Sequence, residues 1–128
     1  MIITNSEKPV TVAVGAHGSN EAYSFTVPVN SVEQHLLLDS NGAGDTFVGG
    51  FLASVCLSLK ADPKLQLEGA VLSKDHLTQA VRAGNLIAGQ VVQRYGCDFP
   101  TLPQLKRLIE DSQSDLKLNW SEGVNYNQ

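Results

Sequence analysis

Two carboxylates and a glycine-rich turn lie close together in the middle of the sequence, within residues 39–47 (DSNGAGDTF). An apolar run, Leu36 to Leu38, precedes them, and an apolar stretch from Phe47 to Leu59 follows. This order predicts the end of a strand, then a turn, then a buried helix. Such a junction has unpaired backbone N–H groups and the positive end of a helix dipole, which together favour an anion such as phosphate.

Asp45 falls in the first turn of the predicted helix, close to where the anion would bind. A carboxylate beside phosphate is unfavourable unless it takes part in the chemistry, so Asp45 is a candidate base for a hydroxyl that attacks the phosphate. Gly42, Ala43 and Gly44 form the candidate anion hole, because their N–H groups could hold the transferring phosphoryl group. The alternative is a glycine turn that only begins a helix, with Asp45 as a favourable first-turn acid.

Composition narrows the class of protein. The chain has 128 residues, the length of one domain, and 42% hydrophobic residues, enough for a core. Its formal net charge is -4 without a basic run, which argues against nucleic acid as a partner. No apolar run reaches the ~18 residues that span a bilayer, no secretory signal is visible, and the histidines show no metal-ligand spacing. Cys56 is predicted to be a small core residue, and a reduced cytoplasmic location is expected, with the nucleus as an additional location.

The first third of the chain is predicted to be a β-meander. Alternating and β-branched residues indicate strands, and clusters of Gly, Pro, Ser and Asn indicate turns between them. The predicted strands are residues 2–4, 10–14 and 23–29, with turns at 5–9 and 15–20. Pro28 cannot donate to a ladder, so the third strand should lie at an edge or end there.

The helix after the glycine turn is apolar nearly all round, so it should be packed on both sides. Gly49 and Gly50 each cost ~1 kcal/mol in a helix interior relative to alanine. This cost predicts that something approaches the helix backbone closely at these positions.

Two further helices are predicted after a connector at residues 60–74. Ser73 is the expected N-cap of a helix that runs to Tyr95, and Gly96 is its expected C′ residue. Thr101 can cap a short third helix, and residues 112–128 are predicted to be a flexible tail.

Residues 39–47 resemble the signature of the ribokinase-like carbohydrate and nucleoside kinases. Three later segments, residues 47–52 (FVGGFL), 81–85 (VRAGN) and 94–100 (RYGCDFP), are most similar to the adenosine kinases within that family. The similarity covers residues 1–104. It implies the α/β class and a partial ribokinase-like fold, a β-meander followed by the anion-hole helix and two further helices. Residues 1–111 would then be the C-terminal, ATP-binding and catalytic portion of such a kinase domain.

The resemblance implies transfer of a phosphoryl group from ATP, carried with Mg²⁺, to the 5′-hydroxyl of adenosine, giving AMP in purine salvage. It places Thr4 near the nucleotide phosphates and Asn85 near the adenine base. The alternative for Asn85 is a polar residue on the solvent side of its helix.

The resemblance also implies a monovalent cation, K⁺ as a further cofactor, near four residues. These are Asp39, Asn41, Arg94 and Gly96. The alternative for the first two is an Asx turn that closes the strand end, and the alternative for Arg94 is a solvated helix arginine.

The adenosine kinases of this family, whose members are often monomeric, are much longer than this chain. The resemblance therefore implies that the N-terminal part of the kinase domain, with most contacts to the nucleoside, is a missing partner. The chain alone is expected to be inactive. There are two alternatives to an adenosine kinase. The chain could belong to another sugar or nucleoside kinase of the family, or it could be a non-catalytic truncated product that binds nucleotide.

Overall fold

The computed structural model describes residues 1–18, 20–62, 72–96, 98–101, 103–105 and 107. The predicted tail at 112–128, most of the connector and Cys97 lie outside the described residues. Of the third helix, residues 103–105 and 107 are helical, and Gln104 Oε1 accepts from Thr101 N at 2.8 Å. This bond supports the predicted helix start at Thr101, and the rest of that helix is not described.

The three strands form an antiparallel meander, as predicted. They are β1 (Ile2–Asn5), β2 (Lys8–Val14) and β3 (Tyr23–Val27), in the order β1-β2-β3. The strand β2 begins at Lys8, two residues earlier than predicted, because Asn5 pairs with Lys8 and only Ser6 and Glu7 are left for the turn. The strand β3 ends at Val27, directly before the proline that cannot continue the ladder.

The sheet buries one face against two helices, α1 (Ala43–Ala61) and α2 (Lys74–Val91). Val10 and Val12 of β2 and Val27 of β3 are buried together with one residue from each helix, Phe47 and Val81. Burying one such valine side chain stabilises the fold by about 1.5 kcal/mol or more. This core holds the start of α1 in place relative to the sheet.

The helices α1 and α2 cross at two glycines. A Cβ built on Gly84 would lie 2.7 Å from the carbonyl oxygen of Phe47, and one built on Gly50 would lie 3.0 Å from the carbonyl oxygen of Ala83. A Cβ on Gly49 would meet nothing within 4 Å. The predicted close approach is therefore confirmed at Gly50 and wrong at Gly49, which faces away from the crossing.

The helix α2 begins as predicted, because the Ser73 side chain accepts from His76 N at 3.2 Å. It ends at Val91 rather than Tyr95. The helical pattern stops directly after it, because the Gly89 carbonyl accepts from the Gln93 side chain, Nε2 at 2.7 Å, and Arg94 N donates to the Val91 carbonyl at 3.1 Å in a tighter turn. The Val92 carbonyl accepts from Leu38 N at 2.9 Å and Asp39 N at 3.3 Å. Gly96 has a φ of 69° and lies beyond the helix, so its predicted role as C′ residue is wrong.

Two other predictions are wrong. The run Leu36 to Leu38 is not a strand: Gln34–Leu36 is a short 3₁₀ helix, and the extended chain after it donates to the end of α2 instead of a neighbouring strand. Cys56 is exposed rather than in the core, because α1 buries only its opposite side here.

Candidate functional site

The glycine turn begins α1 with a residue in the left-handed conformation. Gly42 has a φ of 75°, which costs glycine little but would cost another residue about 1–2 kcal/mol. Its carbonyl accepts from Thr46 N at 2.9 Å and from Thr46 Oγ1 at 2.6 Å. Thr46 thus fixes the turn, a role that sequence reasoning missed although Ser and Thr often bond the carbonyl four residues upstream.

The N–H groups of Gly44 and Asp45 lie in the first turn of α1, where an α-helix provides no carbonyl for them. Ala43 N, by contrast, donates to the Ser40 carbonyl at 3.3 Å, a long bond that closes the turn. The N-terminal end of α1 therefore offers Gly44 N and Asp45 N as the best-placed donors, with Ala43 N partly engaged. This arrangement can hold an anion.

The Asp45 side chain is exposed and lies beside these donors. Within the described part of the chain, no hydrogen bond or ion pair engages its carboxylate. A free carboxylate next to an anion-binding turn can accept a proton from an incoming hydroxyl. The same position also suits a first-turn acid that only favours the helix dipole.

Asp39 connects the glycine turn to the chain beyond α2. Its Oδ1 accepts from Asn41 N at 2.9 Å, and its Oδ2 accepts from Gly96 N at 3.2 Å. The first bond is the Asx turn that the sequence left as an alternative, and the second brings together three of the four residues predicted near a cation. Each carboxylate oxygen has a further lone pair, so this arrangement fits a hard monovalent cation as well.

Arg94, the fourth of these residues, directs its guanidinium elsewhere. Its Nη1 lies 3.2 Å from Asp98 Oδ2, in a pair whose aspartate is largely exposed. Such pairs contribute about 0–1 kcal/mol. Arg94 can therefore serve a cation only through its backbone.

Thr4 and Asn85 are not among the residues that assemble the turn. Thr4 is exposed on the edge strand β1, where the pairing register with β2 is irregular. Asn85 is half-buried on α2, and its Nδ2 is buried without a hydrogen-bond partner in the described structure. The burial of Nδ2 counts against the alternative of a solvated Asn85, and its contact with adenine stays a prediction.

Elsewhere in the described ranges, no group of three His, Cys, Asp or Glu side chains could hold a metal ion. None of the helices in that part of the chain has the length and apolar content to cross a membrane.

A family model described as pfkB family carbohydrate kinase matches residues 2–105, which contain the three strands, both helices and the glycine turn. The chain belongs to this family. The α/β arrangement also resembles a solved structure. That structure, adenosine kinase from Schistosoma mansoni in complex with 2-fluoroadenosine, is 21% identical with a TM-score of 0.53, over 78% of this chain and 23% of that chain.

Curated relatives of this pfkB chain include adenosine kinases. Adenosine kinase 1 of Arabidopsis thaliana is 33% identical over 102 residues, and adenosine kinase 2 is 31% identical over the same length. Each alignment covers 80% of this chain and 23% of the relative. Adenosine kinase of Saccharomyces cerevisiae is 29% identical over 101 residues, 79% of this chain and 23% of the relative. The chain thus spans about a quarter of the length of these kinases.

Proposed function

We propose that this chain is the phosphoryl-transfer portion of an adenosine kinase, which transfers the γ-phosphoryl group of ATP to the 5′-hydroxyl of adenosine to give ADP and AMP. One observation carries the proposal. The unpaired N–H groups at the start of α1 and the exposed carboxylate of Asp45 lie side by side on a turn that Asp39 ties to Gly96. The curated relatives that share this segment are adenosine kinases.

In this proposal the N–H groups of Gly44 and Asp45, with Ala43 and Gly42 beside them, hold the γ-phosphoryl oxygens. Asp45 accepts the proton of the attacking hydroxyl while the new O–P bond forms and the bond from phosphorus to ADP breaks. Mg²⁺ is carried by the phosphates of ATP and neutralises their charge. Thr4 and Asn85 are proposed contacts to the phosphates and the adenine base.

A sugar or another nucleoside is the second candidate acceptor, because the matching family is described as carbohydrate kinases. Comparing adenosine with other nucleosides and with ribose as acceptors, in an assembled kinase that contains this chain, would separate the candidates.

We expect the isolated chain to form no AMP from ATP and adenosine. It spans 23% of the length of its curated relatives. In the chain alone, Gly44 and Asp45 at the start of α1 are exposed to solvent. The measurement is an AMP assay in which full-length Arabidopsis adenosine kinase 1 is the positive control. If the isolated chain formed AMP and Asp45→Ala abolished that activity, the chain would be sufficient for catalysis. If the assembled kinase that contains this chain also formed no AMP, the chain would be better explained as a non-catalytic truncated protein.

We also expect Asp39 to make the assembled kinase respond to K⁺. Activity in K⁺ should exceed activity in tetramethylammonium by about threefold or more, because a bulky cation cannot approach carboxylate and carbonyl oxygens closely. Asp39→Asn should remove this difference, whereas Asp98→Asn, which leaves both bonds of Asp39 intact, should retain it. Equal activity in both salts would leave Asp39 with its structural bonds to Asn41 and Gly96 alone.

A further inference from the structure

The helix α1 has an exposed apolar side opposite the side that packs on α2. Phe47, Gly50 and Ser54 are buried in the fold, whereas Val48 is 52% exposed and Leu52 is 53% exposed. Val48, Leu52 and Cys56 follow one another at intervals of four residues, so they lie in one line along the helix. We call these three residues the α1 stripe.

The α1 stripe lies on the same side of the helix as Asp45, the candidate base. Asp45 lies three residues before Val48, which places its side chain on the same side of the helix, one turn toward the N-terminal end. Gly49 and Ala53 beside the stripe are small and exposed, so a partner could approach the helix backbone there. A polypeptide that covers the stripe would therefore also border Asp45.

Family membership indicates what this polypeptide is. The pfkB match includes the whole of α1, and in relatives such as Arabidopsis adenosine kinase 1 the matching segment makes up 23% of one longer chain. The same helix in those relatives is joined to the other three quarters of a kinase. A second copy of this chain is a poorer occupant, because each copy carries a formal net charge of -4.

We propose that the α1 stripe is the surface on which the remaining part of an adenosine kinase domain docks, bringing the phosphoryl acceptor to Asp45. The proposal rests on the proposed function for the nature of the partner. Docking buries Val48, Leu52 and Cys56 and excludes water from the start of α1. It thereby completes a site whose donors and base are exposed in the chain alone.

The test co-expresses the 128-residue chain, carrying Cys97→Ser, with Arabidopsis adenosine kinase 1 from which the matching segment has been deleted. A one-to-one complex is expected by size-exclusion chromatography with light scattering. Maleimide should label Cys56 at least about tenfold more slowly in the complex than in the free chain, because the thiol becomes buried. AMP formation is measured on the same sample.

Two variants on α1 locate the contact. Leu52→Glu should raise the Kd of the complex at least about 30-fold, because it buries a carboxylate in an apolar interface. Ala61→Glu makes a similar change at an exposed position on the opposite side of α1 and should leave the Kd unchanged. Circular dichroism of each free variant verifies that the helix content is retained.

The outcomes separate docking from function. A stripe-dependent complex without AMP formation supports the docking surface and counts against the proposed function. AMP formation that Leu52→Glu leaves intact, or a dimer of the free chain that protects Cys56, overturns the docking surface. If the truncated kinase cannot be recovered even when it is co-expressed with the deleted Arabidopsis segment, a chimera of the Arabidopsis kinase that carries residues 2–105 of this chain in place of that segment is labelled in the same way. A chimera that does not fold, or one in which Cys56 is labelled as fast as in the free chain, overturns the proposal.

Discussion

Asp45→Ala in the assembled kinase is expected to lower the rate of phosphoryl transfer by about 10²–10⁴-fold, the usual contribution of a positioned base. ATP affinity should change little, because the donors that hold phosphate are backbone N–H groups of α1. The measurements are kcat for AMP formation and ATP binding by calorimetry. Asp45→Asn, which retains the size of the side chain and removes its basicity, should show the same loss.

Asp75 provides the matched control for this prediction. It is also an acid in the first turn of a helix, α2, and it is also exposed. Each carboxylate should stabilise its helix by about 0.3–1 kcal/mol through its interaction with the positive end of the helix dipole. Asp45→Asn and Asp75→Asn should therefore lower the free energy of unfolding to a similar extent. If Asp45→Asn retained normal turnover, Asp45 would be a helix-stabilising acid like Asp75 and not a base.

Gly84→Ala is expected to lower the free energy of unfolding by about 1–3 kcal/mol, the typical cost of forcing extra volume into a packed contact. The new methyl group would lie 2.7 Å from the Phe47 carbonyl oxygen, and both atoms of closest contact belong to packed helices. The helices would have to separate at their crossing. Urea denaturation followed by circular dichroism measures the effect.

Gly49→Ala is the matched control, since it makes the same change on α1 where a Cβ would meet nothing within 4 Å. It should raise the free energy of unfolding by up to ~1 kcal/mol, the gain in helix propensity from glycine to alanine. A loss at Gly49 equal to that at Gly84 would contradict the observed helix crossing.

Local chemistry made several features predictable. Ser73 is a good N-cap by side-chain type, and the structure places its hydroxyl on His76 N. The proline after Val27 ends β3 because proline lacks the donor that a strand needs. The glycine turn was also predictable as a helix start, because two glycines and the acidic Asp45 come shortly before the apolar stretch that begins at Phe47.

Features that depend on distant residues were not predictable in this way. Both Gly49 and Gly50 suit a close contact, and only the position of α2 decides that Gly50 makes it. Three consecutive leucines suit a strand, but Leu38 donates to Val92 at the end of α2 instead.

The bond from Gly96 N to Asp39 Oδ2 joins residues 57 positions apart. Closing a loop of that length costs about 3–4 kcal/mol of chain entropy, more than the 1.5–3 kcal/mol that one hydrogen bond to a charged group contributes. The contact can therefore form only when the packing of α1 on α2 has already brought its two ends together. A short peptide with the glycine turn would lack this tie, so the motif cannot be grafted onto another scaffold without the second helix that holds it.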